Sequence, residues 1–199
     1  MSKRVIGRVA GILLSLALAA CASTPAARFY ALSAVTPSAS AQPRDVSVAL
    51  GPIDLPQYLE RPQIVTRTGD NRLNVDEFNR WGGALEEEVS KVLARYLGGR
   101  LGTQRVYGYP SRIAVDTDYR IAIEIRTFDG ALGGDVDLEV AWSLFNDRNG
   151  AVLQTGQSSY HGNANGADYA AYAAALSGLL SQFGNDLAAA VGAVEPAQP

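Results

Sequence analysis

The sequence predicts an α/β protein in which a mixed, mostly antiparallel sheet carries two main amphipathic helices. Three observations predict it. Residues 119–125 and 136–144 alternate apolar and polar side chains, the period of a half-buried strand. Residues 81–97 and 168–194 instead repeat their apolar side chains every three or four positions, the spacing of one helix face. Turn chemistry at Gly69-Asp70-Asn71 and at Asp147-Arg148-Asn149-Gly150 joins neighbouring strands by short connections, which makes them antiparallel.

The elements follow in chain order. Arg28-Phe29-Tyr30-Ala31-Leu32 is a short strand or a hooked arm, and residues 33–43 are a proline-containing tether. Val46, Val48 and Leu50 alternate as a strand that Gly51-Pro52 ends. Pro52, Pro56 and Pro62 exclude a central strand from the next stretch, which predicts a rigid loop with one helical turn after Pro56. Residues 63–68 and 72–75 form a hairpin. The helix over 81–97 buries Leu85, Val89, Val92, Leu93, Tyr96 and Leu97, wets Glu86, Glu87, Glu88, Lys91 and Arg95, and ends at Gly98-Gly99.

Residues 104–107 are a short strand. A three-stranded meander comes next: 118–128, then a strand with Val136, Leu138, Val140, Trp142 and Leu144 on one face, then 151–160. Residues 161–167 are a Gly/Asn loop. Asp168 caps a long helix to about Val194, whose buried stripe is Tyr169, Tyr172, Leu176, Leu179, Leu180, Phe183 and Leu187. Ala173, Ala174 and Ala175 permit close approach to a sheet.

Cys21 is the only cysteine in 199 residues. Before it stand Lys3, Arg4 and Arg8, then an uncharged 12-residue stretch ending in Leu18-Ala19-Ala20. That is a cationic start, a short apolar run and a small-residue cleavage site. The run is too short to span a bilayer, which takes ~20 residues. Leu-Ala-Ala-Cys resembles the bacterial lipobox, where the cysteine is lipidated and heads the mature chain. The predicted organisation is 1–20 lipoprotein signal peptide, 21–44 lipidated N-terminus and tether, 45–194 one domain, and 195–199 tail. Several acyl chains, palmitate among them, anchor stably at ~0.8 kcal/mol per buried CH₂. By resemblance to the enterobacterial sorting rule, Ala22 in place of Asp directs the protein to the outer membrane.

Charge and residue usage bound the chemistry. The 20 acidic residues all follow Cys21, as do 14 of the 17 basic ones, so the mature chain is anionic. This argues against nucleic acid and against broad docking on anionic headgroups. The sequence predicts no enzyme. His161 is the lone histidine, no thiol is left once Cys21 is lipidated, and no serine sits in a Gly-x-Ser-x-Gly frame. Asp76-Glu77 and Glu86-Glu87-Glu88 have no paired role. Asp135-x-Asp137 lacks the rest of a calcium loop, and Phe128-Asp129-Gly130 lacks the other parts of a kinase. No metal is expected, and no cofactor beyond the covalent lipid.

The stretch Ile53-Asp54-Leu55-Pro56-Gln57-Tyr58-Leu59-Glu60-Arg61-Pro62 admits two readings. It is a packed connection over a sheet edge, or a preorganised docking surface in which Leu55, Pro56, Tyr58, Leu59, Arg61 and Pro62 bind a partner. A rigid loop loses little entropy on binding, and Tyr and Arg are frequent anchors.

From Gly51-Pro52 through this stretch to Gln63-Ile64-Val65-Thr66-Arg67, the sequence resembles the signature of the ABC-type transport auxiliary lipoproteins, the PqiC (YmbA) family. Agreement continues at Phe29-Tyr30-Ala31-Leu32, Arg80-Trp81, the helix over 85–97, Tyr109-Pro110, Asp118-Tyr119-Arg120, Arg126, Phe128-Asp129-Gly130 and Asp168-Tyr169. Gly82-Gly83 departs from it, where bulkier residues are expected. The resemblance implies a fold similar to the anticodon-binding and TolB N-terminal domains. It also implies a non-enzymatic envelope lipoprotein that works with MCE-domain proteins and membrane transport subunits to move lipids between membranes. A neighbouring copy of the chain is a further partner class. A lipid carrier with its own apolar cavity, and an assembly or pilot lipoprotein for another envelope machine, are the alternatives.

Overall fold

Two sheets, rather than the single one expected, organise the chain in the computed structural model. It describes residues 25–34, 44–110 and 116–194. Cys21, residues 35–43 of the tether and the 195–199 tail lie outside the described residues. The larger sheet has the order β5-β2-β6-β7-β8, formed by β2 (Val48–Asp54), β5 (Val106–Gly108), β6 (Tyr119–Gly130), β7 (Asp135–Asn146) and β8 (Val152–Asn163). Its long ladders, β6 with β7 and β7 with β8, are antiparallel, while β2 runs parallel to both neighbours. The smaller sheet has the order β1-β4-β3, from β1 (Arg28–Tyr30), β3 (Gln63–Arg67) and β4 (Leu73–Trp81). The fold is thus mixed, with antiparallel pairing carrying most of its length.

The period-two faces are buried as their sequence demands. Ile121, Ile123, Ile125, Val136, Leu138, Val140, Trp142 and Leu144 all belong to the core. Helices α1 (Leu85–Leu101) and α2 (Tyr169–Ala193) cover this face, α1 over β2 and β5, α2 over β7 and β8. Leu176, Leu179, Leu180, Phe183 and Leu187 fill the space beneath α2. The helices meet where Gly184 lets the Tyr96 ring approach; a Cβ there would stand 2.6 Å from Tyr96 Cδ1.

Four boundaries differ from expectation, each for a local reason. Gly51-Pro52 does not end β2. The bond is cis, Gly51 takes φ +130°, and a register shift between Leu50 and Ile53 absorbs the proline before pairing with β6 resumes. β5 pairs only with Val48, Ala49 and Leu50, so no ladder on that side needs the missing Pro52 N–H. Trp81 ends a strand instead of starting a helix: its N–H donates to Pro62 O at 2.8 Å, and α1 begins only after the helix-poor Gly82-Gly83. Gly98-Gly99 lies inside α1, because Gly102, at φ 66°, supplies the left-handed cap instead. His161 lies in β8 rather than in a loop, with Nδ1 2.5 Å from Asp137 on β7.

Candidate docking site

The proline-rich stretch leaves β2 at Asp54 and turns after Pro56 into a 3-10 turn over Gln57–Leu59, closed by Leu59 N–H to Pro56 O at 2.8 Å. Proline fixes φ at the start of such a turn. Leu59 is buried in the core. Tyr58 is half-buried, and its hydroxyl donates to the Asp129 carboxylate near the end of β6. That carboxylate is only 1 % exposed. The Arg67 guanidinium of β3 also binds it, through Nε and through Nη2, the latter at 3.1 Å. A buried charge is costly unless it is paired and hydrogen-bonded, and this one is both.

One carboxylate therefore latches the turn, the smaller sheet and the larger sheet together. Burial first, then the bond to Asp129, raises the Tyr58 pKa well above the ordinary phenol value. The hydroxyl stays a donor at every physiological pH. The bond to Asp129 likewise raises the Arg67 pKa. Beside the latch, the buried Tyr172 hydroxyl donates to Val65 O at 3.0 Å and ties α2 to the smaller sheet.

The outer side of the stretch forms one wall of a cleft of about 640 Å³. Leu55, Leu59, Arg61 and Pro62 line it, facing Trp81, Gly82-Gly83-Ala84 and the first turn of α1. Buried Ile53, Leu59, Trp81 and Leu85 give it an apolar floor; Asp54, Glu60, Arg61 and Glu86 give it a charged rim. The Arg61 side chain is exposed and makes no hydrogen bond or ion pair among the described residues. The small side chains of Gly82, Gly83 and Ala84 leave the mouth open.

Of the six expected partner-binding residues, four line the cleft and two do not. Pro56 sets the turn. Tyr58 points away from the cleft to Asp129, which corrects its expected place as a surface anchor. The opposite wall at residues 81–86 was not among the expected site residues; Gly82-Gly83 was its one signal in the sequence. Asp129 and Arg67 escaped sequence reasoning because the residues that meet lie 71 and 62 positions apart.

The cleft is lined by apolar side chains with Asp54, Glu60, Arg61 and Glu86 among them, and it has no histidine, cysteine or serine in its lining. Among the described residues no group of three or more His, Cys, Asp or Glu side chains could hold a metal. Asp135 is engaged by Asn163 at 2.9 Å and Asp137 by His161.

A family model described as the ABC-type transport auxiliary lipoprotein component matches residues 30–188. No curated protein matches the sequence. Among solved structures, a protein from Xanthomonas campestris is similar over 81% of this chain and 93% of its own, with 19% identity and a TM-score of 0.68. The crystal structure of an uncharacterised protein covers 84% of this chain and 99% of its own, with 15% identity and a TM-score of 0.67. These likenesses show the fold.

Proposed function

The chain belongs to the ABC-type transport auxiliary lipoprotein family, and from that premise we propose that it is a non-enzymatic docking component of an MCE-type intermembrane lipid transport system. Acyl chains on Cys21 hold it in the outer membrane with the folded domain on the periplasmic side. The cleft between the proline-rich stretch and the start of α1 receives the MCE-domain protein of the same cell. The observation that carries this reading is the latch. Asp129, Tyr58 and Arg67 fix the stretch from behind, so Leu55, Arg61 and Pro62 meet a partner with little ordering cost. The apolar floor and charged rim match the anatomy of an interface core and its border. The interface between the helices and the larger sheet is filled by side chains, so a carrier would have to hold its lipid in the open cleft itself.

The test is binding of the purified lipidated chain to that MCE-domain protein. Leu55→Ala combined with Arg61→Ala should weaken binding of the folded protein by ~2 kcal/mol, about thirtyfold, with a small fall in the unfolding midpoint because Leu55 packs partly against the core. Undiminished affinity in the folded double variant would overturn the assignment of the cleft.

A further inference from the structure

The smaller sheet exposes four large apolar side chains, Leu73 and Val75 toward the β3–β4 turn, and Phe29 and Phe78 by the β1–β4 pairing. Phe29 is 67 % exposed and Phe78 is 40 % exposed. In the parallel pairing of β1 with β4, Phe29 stands opposite Arg80 and Tyr30 opposite Trp81. Tyr30 and Trp81 turn inward: Trp81 is buried, the Tyr30 hydroxyl donates to Asn79 at 2.9 Å, and its ring meets that of Tyr169. Alternation over the regularly paired residues 79–81 therefore sets Phe29 and Arg80 on the opposite, outward face, and Phe78, exposed immediately before them, lies in the stretch where the pairing of β4 with β3 shifts register.

The position of this face along the chain decides what it meets. Among the described residues β1 is the first element, and it is firmly held. Gly82 N–H donates to Tyr30 O at 2.7 Å, Leu32 is buried, and Ser33 N–H donates to Ser177 Oγ at 3.0 Å. The stretch 33–43, expected as the tether, therefore follows a docked strand. Between Cys21 and β1 lie residues 22–27. Fully extended, this segment spans at most roughly 25 Å from Cys21 to Arg28.

We infer that the outer face of the smaller sheet lies against the bilayer that holds the lipid anchor, with Phe29 and Phe78 seated in its interfacial region. This rests on the lipidation of Cys21 in the reading above. A short anchor holds the face at high effective concentration beside the membrane, so each ring needs only a modest affinity of its own. The contact is apolar rather than ionic. On β1 and β4 themselves, Arg28 and Arg80 are matched by Asp76 and Glu77. Glu77 lies 3.5 Å from Arg80, and Asp76 accepts the Tyr169 hydroxyl at 2.9 Å. No excess of positive charge is left to seek anionic headgroups, whereas exposed phenyl rings partition into the headgroup–acyl boundary.

Cys21 is the sole cysteine, so once it is lipidated any introduced cysteine is a unique thiol. The full chain, expressed and lipidated, is placed in phosphatidylethanolamine–phosphatidylglycerol vesicles carrying nitroxide lipids. An environment-sensitive fluorophore is attached in turn to Phe29→Cys, Phe78→Cys and Asn149→Cys. Asn149 lies in the turn between β7 and β8, at the end of the long ladder remote from Asp129. Labels at 29 and 78 should be blue-shifted and quenched, unchanged by added salt, while the label at 149 stays in water. Labels at 29 and 78 as wet as that at 149, on a chain that stays with the vesicles, would overturn the inference and leave the anchor standing. So would protection that appears only when the MCE-domain protein is added, or that salt abolishes. A chain that washes off the vesicles would overturn the anchor itself, and the inference with it.

Discussion

Asp129 shows how one buried residue can tie a molecule together. Its carboxylate accepts from the Tyr58 hydroxyl and the Arg67 guanidinium while almost fully buried. Removing one donor leaves part of that charge unsatisfied, and hydrogen bonds to charged groups contribute ~1.5–3 kcal/mol. Tyr58→Phe keeps the ring and deletes only the donor. Urea denaturation should show it less stable by ~1–3 kcal/mol, and because the latch holds the stretch ready for its partner, the docking affinity of the folded fraction should fall as well. Asp118 does comparable work at the other end of the larger sheet. It accepts from Ser47 N at 2.8 Å and Ser47 Oγ at 2.7 Å, and from Arg148 at 2.8 Å. Partial burial opposes its ionisation, but these bonds win and hold its pKa below 3.8. The folded state thus binds this proton less readily than the unfolded chain. The stabilisation is complete above 3.8 and is lost as pH falls through that value toward the lower folded one. Denaturation midpoints from neutral pH to about pH 3 should therefore fall less steeply for Asp118→Asn than for the parent, which starts higher.

At the scale of elements, legibility followed locality. β6 and β7 alternate over most of their length, and both buried faces agree with that pattern. The start of α2 was equally plain, because Asp168 Oδ1 accepts from Ala171 N–H at 2.7 Å, a cap contained within four residues. Where position in the sheet overrode local chemistry, the sequence misled. Gly51-Pro52 carries the signal of a strand end, yet the third dimension supplies a neighbour, β6, that holds β2 on both sides of the irregularity. Gly98-Gly99 carries the signal of a helix end, yet a Cβ at Gly98 would stand 2.9 Å from Thr103 O, so the glycine serves the close return of the chain. The candidate site divides the same way. Its proline-rich wall was visible as a continuous run, whereas its other wall and the latch behind it come from distant segments. The two helices also differ in a testable respect: α2 has a side-chain cap, and α1, preceded by Ala84, has none. Asp168→Ala should cost ~1 kcal/mol of stability, while Ala84→Asp should add ~0.5–1 kcal/mol, helped by the helix dipole. Thermal unfolding that moved in the same direction for both would contradict this assignment of caps.

For the whole molecule, the arm before the tether is the part whose membership in the fold matters most. Residues 28–34 precede a segment rich in small and polar side chains, and from sequence alone they belong equally well to a loose leader. Their contacts place them in the fold instead. Leu32 is buried at 6 % exposure, Tyr30 seals Trp81 and Tyr169, and Ser33 bonds to α2. Burying one leucine contributes ~1.5–3 kcal/mol, and each hydrogen bond adds ~1 kcal/mol net. A chain beginning at Arg28 keeps all of this and should unfold at the temperature of the intact mature protein. A chain beginning at Arg44 loses it, bares the edge of β4, and should be less stable by roughly 3 kcal/mol, a fall in Tm of about 6–12 °C for a domain of this size. Equal midpoints for the two truncations would return the arm to the tether. The short reach between anchor and smaller sheet, on which the proposed membrane-facing surface depends, would then be lengthened by the whole of residues 28–43.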